Sequence, residues 1–509
     1  MYKFKYNICT LFLLPLIVLF VSVFASDAMD FSVFGKNLNV TGYVSQEFAF
    51  AAHHDTKVAG KYYDEPGLHS AYRTVYIDST LSLNQDVQIR MINRYMGDWV
   101  FGIKEDDGSW RDRGFGNSDV RKDLHNETNF HEVVRELYIN YMRNNLNVRI
   151  GKQQIAWGES DGLRLCDIIN PLDMSREGPF RDSDEGYETT RIPLWLARIE
   201  YTFSNTHFGP IDEPAIEFVF NPGDVRQTRS PSDSIWQPHA ALLPAGIKAS
   251  VKDDNRDKKF RHREWGFRLK GNIYDTFVTF NFYSGYMHDP IVRSTAFNPA
   301  SGTLYIEKKY MKLQSYGLTA SREMYGFRKI VKGQVNPVLR MEVLYQHNYP
   351  YNTAQFPEVL SGGDELDKKD VIRYMIGFDW PAKITFLNPE RYFFISGQFF
   401  HYHILGYPNR YRLQNGPYSD WQAKENQYYS TLLMRTSYFH DLVKPQILGV
   451  MDWTYGTSWI KPKVKFEIGN HWRPEVGGIF IFTSHNDDRR EFGHWADRDE
   501  IYMKLAYQF

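Results

Sequence analysis

Cysteine is nearly absent: Cys9 and Cys166 are the only two in 509 residues. Cys9 lies in an apolar N-terminal run, so a chain shorn of that run holds one thiol and no intrachain disulfide. An excess of one charge is absent as well. With 60 basic and 61 acidic side chains, the chain has no strong basic balance to capture nucleic acid. Long apolar runs are missing beyond the N-terminus, which excludes membrane helices, since these need about 20 consecutive apolar residues. No calcium-loop spacing and no C-x-x-C-H occur. His53-His54-Asp55 and His401-x-His403 lack partners at established metal spacings. No cofactor, metal or catalytic acid–base set is expected, and the chain does not read as an enzyme.

What is present is aromatic. Tyr, Phe and Trp make up 16% of the chain, yet mean hydropathy is −0.49. Bulky apolar groups and a polar average coexist when the two alternate along strands. At the N-terminus, Lys3 and Lys5 precede the apolar run from Ile8 to Phe24, and Val23-Phe24-Ala25 closes it with the pattern a signal peptidase reads. Residues 1–25 are therefore expected to be an export signal, followed by a short segment, 26–38, on the inner side of the target membrane.

Period-two alternation recurs after residue 39. At the C-terminus Ile501, Met503, Leu505, Tyr507 and Phe509 share one face, and Glu500, Tyr502, Lys504, Ala506 and Gln508 the other. Trp265, Phe267 and Leu269 alternate with Glu264, Gly266, Arg268 and Lys270. Ile372, Tyr374, Ile376 and Phe378 alternate with Arg373, Met375, Gly377 and Asp379. Short turns, such as Asn84–Asp86, Asn144-Asn145, Asn272–Asp275, Asn388–Glu390 and His440–Pro445, alternate with long polar loops at 53–71, 98–132, 157–192, 222–262, 288–311, 349–370, 406–426 and 485–498. A soluble β-sandwich also alternates, but long strands with Arg, Lys and Glu on one face fit a wet lumen, and the short–long rhythm fits a membrane barrel. The fold class is all-β: a transmembrane antiparallel β-barrel over 39–509 with about 18 strands (16–18), long extracellular loops and short periplasmic turns. Its location is the cell outer membrane, its lipid a partner. The terminal aromatics Tyr507 and Phe509 resemble the signal read by barrel-insertion machinery.

The phase of the alternation sends Arg90, Arg94, Arg149, Arg268, Lys270, Arg340, Arg373, Lys461, Lys463, Lys465 and Lys504 inward. Asp78, Glu136, Glu264, Glu342, Asp379, Glu467 and Glu500 accompany them. A basic wall would concentrate anions; paired across strands, the same charges would only hydrate it. Loop 157–192 is dense in charge, with Asp161, Asp173, Asp182, Asp184 and Glu185 among its acids, and Asn170-Pro171 biases it to turn. It is expected to fold inward and narrow the pore, with Trp157 as an interfacial belt residue at its root. Gly158-Glu159-Ser160-Asp161-Gly162 matches the G-x-S-x-G nucleophile elbow literally, but no clear helix follows it, so it is expected to be loop scaffold.

Taken together, Gly151-Lys152-Gln153, Trp157-Gly158-Glu159-Ser160, Asn170-Pro171-Leu172-Asp173 and Ile192-Pro193-Leu194 resemble a proteobacterial outer-membrane family catalogued as domain of unknown function thirteen-oh-two. The resemblance implies a porin-like barrel and the traffic of hydrophobic molecules, with a periplasmic carrier or inner-membrane exporter as candidate partners. It carries over no substrate and no active site. The acidic stretch 181–186 departs from the family pattern. Two functions follow as expectations: an outer-membrane channel or transport portal for small or hydrophobic molecules, or a non-conducting structural or adhesion barrel, or component of a lipid or electron export system.

Overall fold

In the computed structural model, the described residues are 29–33, 35–52, 57–58, 61–62, 67–103, 124–181, 183–185, 187–224, 226–230, 234–236, 247–253, 260–327, 335–353, 366–409, 413, 422–484, 490–496 and 498–509. The signal segment, Asp182 and the His53–Asp55 cluster lie outside them.

Eighteen antiparallel strands close into one barrel. In chain order they are β1 (Lys36–Ala51), β2 (Tyr72–Ser82), β3 (Val87–Asp98), β4 (Val134–Arg143), β5 (Leu146–Gln153), β6 (Leu194–Thr202), β7 (Ile211–Asn221), β8 (Glu264–Ile273) and β9 (Thr276–Tyr286). They continue as β10 (Lys312–Glu323), β11 (Val338–Asn352), β12 (Leu366–Ala382), β13 (Phe393–Ile404), β14 (Asn426–Arg435), β15 (Val443–Asp452), β16 (Thr457–Phe466), β17 (Trp472–Thr483) and β18 (Glu500–Gln508). Each pairs with the next. β18 closes on β1 from Tyr43↔Gln508 to Ala51↔Glu500, and Gly42 and Phe509 exchange both backbone hydrogen bonds at 2.9 Å. Closure leaves no open sheet edge, as hydrocarbon demands. The barrel begins at Lys36, three residues before Asn39, because Met29–Val33 folds back as a hairpin strand on Lys36–Val40.

The alternation has a physical consequence on each face. Outward, Ile139, Ile150, Ile199, Leu269, Ile376, Phe399, Leu432, Ile501 and Met503 are exposed, an apolar band suited to lipid. Their inward neighbours are polar or buried. Tyr507 departs from the band: it is buried between His471 and Trp472, with ring centroids 5.1 Å away on each side. His401 and His403 also face outward, sharing Asn426 Oδ1 as hydrogen-bond partner at 2.8 and 2.9 Å.

Connections at one end include tight turns. Tyr274 and Asp275 both take positive φ, 46° and 64°, the requirement of a two-residue hairpin that matches strand twist. Residues 383–392 make a longer connection at that same end, so not every turn there is short. At the opposite end the long loops gather, the shortest being 453–456.

Candidate functional site

The lumen holds the loop that leaves β5 and returns at β6. Its base is built from the motif residues. Gly151 has φ +136°, and a Cβ there would collide with the Leu137 carbonyl, so only glycine lets β4 approach. Gln153 is buried, with Nε2 donating to the carbonyls of Leu196 (3.1 Å) and Arg149 (3.2 Å). Asn170, fully buried, staples the two ends: its Oδ1 accepts from the Ile155 amide at 2.8 Å and its Nδ2 donates to the Ile192 carbonyl at 2.9 Å. The Ile192 amide in turn donates to the Pro171 carbonyl at 2.8 Å. A long loop in a lumen must satisfy its own backbone groups, and this stretch supplies the donors and acceptors.

Trp157 corrects the sequence expectation. It is 1% exposed, packs edge-on against Tyr283 and donates Nε1–H to Glu217 at 3.0 Å. It is an inward anchor, not an interfacial belt residue, because the loop turns into the barrel at its first residues and carries the indole with it. Ile155, Ile169, Leu194, Leu196 and Val219 complete this first apolar seat.

From there the loop runs across to β11–β13. Asp161 accepts from Arg340 at 2.6 Å and from Gln398 at 2.9 Å, and Arg340 also meets Asp379 at 2.7 Å. Arg340 donates to the Glu159 carbonyl. Glu342 accepts from the amides of Glu159 and Cys166, the latter at 2.9 Å. Cys166 joins Leu165, Leu344, Met375 and Phe400 in a second apolar seat, where burial and the neighbouring Glu342 push its thiol well above its ordinary range. Ser160 Oγ is buried with no hydrogen-bond partner among the described residues. It therefore lacks the base that would activate a serine nucleophile.

The tip reaches the opposite wall. Phe180 is fully buried among Trp236, Trp459, Phe492 and Trp495, at centroid distances of 5.3–6.5 Å. Beside it, three inward lysines of β16 meet loop acids. Lys461 donates to the Phe180 carbonyl at 3.0 Å and pairs with Glu177 at 3.9 Å. Lys463 (2.8 Å) and Lys465 both bond Glu185. Asp184 lies in the short 3-10 turn Ser183–Glu185.

On its return the loop meets β3, β4 and two other loops. Arg94 donates to the Thr189 carbonyl at 2.6 Å and lies 3.5 Å from Asp173. Arg135 donates to the Glu188 and Arg191 carbonyls at 2.6 and 2.8 Å. Glu127, from the loop after β3, accepts from Arg229 at 2.6 Å and lies 3.9 Å from Arg176. Arg94, Glu127, Asp173 and Arg176 are almost wholly removed from water, and Arg229 is partly exposed. Burial alone would raise the Asp173 carboxyl, but Arg229, Arg94 and Arg176 outweigh it and hold it well below the usual carboxylate range.

The remaining inward candidates form cross-strand pairs or stacks. Arg90 meets Asp78 at 2.6 Å. Lys270 bridges Glu200 (2.9 Å) and Glu217 (3.3 Å). Arg149 stacks 4.5 Å over Tyr138. Arg268 projects inward between Glu264 and Lys270, opposite Glu217 in the register. Arg373 bonds the neutral Gln346 at 2.8 Å. The wall is thus largely a set of paired charges rather than a bare basic surface. Sequence reasoning missed Glu127 and Arg229, and their meeting with the loop's Arg176, which depends on three loops far apart in the chain. It also missed Phe180; an aromatic beside Pro179 in an otherwise charged segment was the available signal.

Two cavities flank the loop. One, of about 290 Å³, lies between residues 164–174 and the wall of β9–β12. The other, of about 440 Å³, lies between residues 177–189 and the wall of β1–β3 and β16–β18, lined by acids and bases alike, including Glu47, Glu177, Lys463, Lys504 and Arg473.

Fold and site together define a transmembrane β-barrel whose lumen is occupied by one inward-folded loop. Residues 71–509 match the family model described as Protein of unknown function (DUF1302), and the chain belongs to that family. No curated protein sequence matches it. Among solved structures it is similar to a BenF-like porin from Pseudomonas fluorescens (10% identity, 94% of this chain and 100% of that one, TM-score 0.45). It is also similar to Acinetobacter baumannii OccAB1 (9%, 95% and 98%, 0.45) and to Salmonella typhi OmpF in complex with daunomycin (10%, 94% and 100%, 0.38). Likeness at these scores carries no function; the architecture rests on the strand pairing itself.

Proposed function

We propose that the protein is an outer-membrane channel whose conductance and selectivity are set by loop 154–193. The carrying observation is that this loop crosses the lumen, touches the wall on opposite sides and leaves cavities on both of its flanks. An 18-stranded barrel is wide enough to hold an aqueous lumen, so the loop rather than the wall decides what passes. Charged groups on the wall hold it in place: Arg340 holds Asp161, the β16 lysines hold Glu177 and Glu185, and Arg94 holds Asp173. A solute therefore meets a polar, charge-paired constriction rather than an open pore.

The test is planar-bilayer recording of purified, refolded protein. The wild type is expected to pass a small, steady ion current. Removing Gly178–Glu188 takes away Phe180, Glu185 and their contacts with β16, and is expected to raise single-channel conductance severalfold and admit larger solutes. A silent wild type whose deletion variant is equally silent would refute the channel.

A further inference from the structure

Inside this barrel most guanidinium groups meet a carboxylate. Arg90 has Asp78, Arg340 has Asp161 and Asp379, Arg198 has Glu217, and Arg94 has Asp173. Arg373 is different. Among the described residues no carboxylate lies within ion-pair distance of it. It donates to the neutral Gln346 Oε1 at 2.8 Å, and its guanidinium carbon lies 4.9 and 5.2 Å from the ring centroids of Tyr349 and Tyr402. Its Nε is buried without a partner. Arg149 and Arg268 also lack a close carboxylate, but neither lines either of the two cavities beside the loop. Arg373 does: it forms part of the wall of the 290 Å³ space between the inward loop and β9–β12.

The rest of that wall has a consistent chemistry. Ile168, Met287 and Leu313 supply aliphatic surface, and Tyr286 and Tyr349 supply aromatic faces. Its acids do not answer Arg373. Asp167 is held by Arg164 at 3.1 Å and Arg191 at 2.8 Å, and Asp289 is hydrogen-bonded by Thr228. A charge in a poorly hydrated site without a counter-ion is costly, and inside a membrane protein it marks a site for a partner. A guanidinium flanked by tyrosine rings and bonded to a neutral amide has no ionic partner, and its fork suits a carboxylate, which it can take with two parallel hydrogen bonds. The volume lies at the small end of small-molecule sites, with the usual mixture of apolar lining and few polar anchors.

We propose that this cavity is a binding site for amphipathic monocarboxylates: Arg373 takes the carboxylate, and the tyrosines and aliphatic side chains take an apolar or aromatic body. This names a solute class for the channel proposed above and rests on that reading for its physiological use, but the binding itself does not require conduction. The experiment is calorimetric titration of the full, detergent-purified protein with 4-phenylbutyrate and with its uncharged amide. The acid is expected to bind at least tenfold more tightly than the amide. Arg373→Gln should erase that preference, whereas Arg373→Lys, which keeps the charge and loses the fork, should retain part of it. Arg435→Gln, near the far end of β14, should leave the preference unchanged. Equal binding of acid and amide by the wild type, or a preference that survives Arg373→Gln, overturns the proposal. The wild-type comparison decides the matter even if a variant fails to fold. Bilayer recordings separate the two readings: acid preference with no current leaves the site and removes the channel, and current with no acid preference does the reverse.

Discussion

Phe180→Ala tests whether the inward loop is held by its tip. The ring has no exposed surface and touches Trp236, Trp459, Phe492 and Trp495, which come from three different parts of the chain. Truncating a fully buried Phe costs about 3–5 kcal/mol when the site cannot collapse, and four rigid aromatic neighbours leave little room to collapse. The eighteen-strand ladder does not pass through this contact, so the loss falls on the seating of residues 177–189 and not on the barrel. At about 1.4 kcal/mol per factor of ten, 4 kcal/mol lowers the ratio of seated to unseated tip by about a thousandfold. The other two apolar seats, around Trp157 and Cys166, keep the rest of the loop in place. Trypsin reads the change directly, since Arg181 follows Phe180. In the regime where opening is fast relative to cleavage, the rate tracks the open population. Cleavage at Arg181 should therefore accelerate by two to three orders of magnitude (about 100–1,000-fold), while the folded barrel keeps its gel mobility without heating. A rate within about threefold of wild type would mean that this aromatic cluster does not anchor the loop.

Four further outcomes are expected. Leu269→Arg and Ile376→Arg place a charge on the lipid face and should cost about 2–4 kcal/mol in folding titrations into bilayers; the uncharged Leu269→Gln and Ile376→Gln, which should cost less, are the proper comparison. Gly266 and Gly377 are not, since a Cβ at Gly266 would lie 2.8 Å from Trp157 and one at Gly377 2.7 Å from Gln398. Deleting Phe509 removes the last seam contact with Gly42 and should reduce insertion far more than deleting one outer-loop residue, measured as the heat-modifiable fraction. Ser160→Ala removes a buried, unpartnered hydroxyl and should leave conductance unchanged and stability unchanged or slightly higher. The Asp173 carboxyl lies below its unfolded value, so its contribution is present above the usual carboxylate range and lost only as pH falls through the lower folded value. Trypsin resistance measured after brief exposure to pH 5 should thus match that at pH 7, and Asp173→Asn should weaken it at both.

The fold was readable because a strand's period of two is a local property. Ile501, Met503 and Leu505 declare a lipid face in nine residues, and repeating that pattern with alternating short and long connections leaves a membrane barrel as the solution that satisfies every backbone group. The inward phase of Arg90, Arg340 and Arg373 followed from the same count. The motif around Gly151, Gln153 and Asn170 was visible as a pattern, but not its task of stapling the loop's two ends together. That task depends on Asn170 reaching Ile155 and Ile192 at once.

By itself, then, the sequence determined the architecture, the facing of the most regular strands and the place of the one highly charged loop. That loop was expected to fold inward; only the tertiary structure decided which walls it reaches and what meets it there. The Glu127–Arg229–Arg176–Asp173 network joins three loops, and Phe180 meets Trp236, Trp459 and Trp495 across the lumen. Contacts between residues so distant in the chain have no local period to announce them. Closing the barrel brings opposite walls within reach of one loop, so which charges are paired, and which, like Arg373, face a cavity with no carboxylate beside them, is set by closure and not by any stretch of sequence.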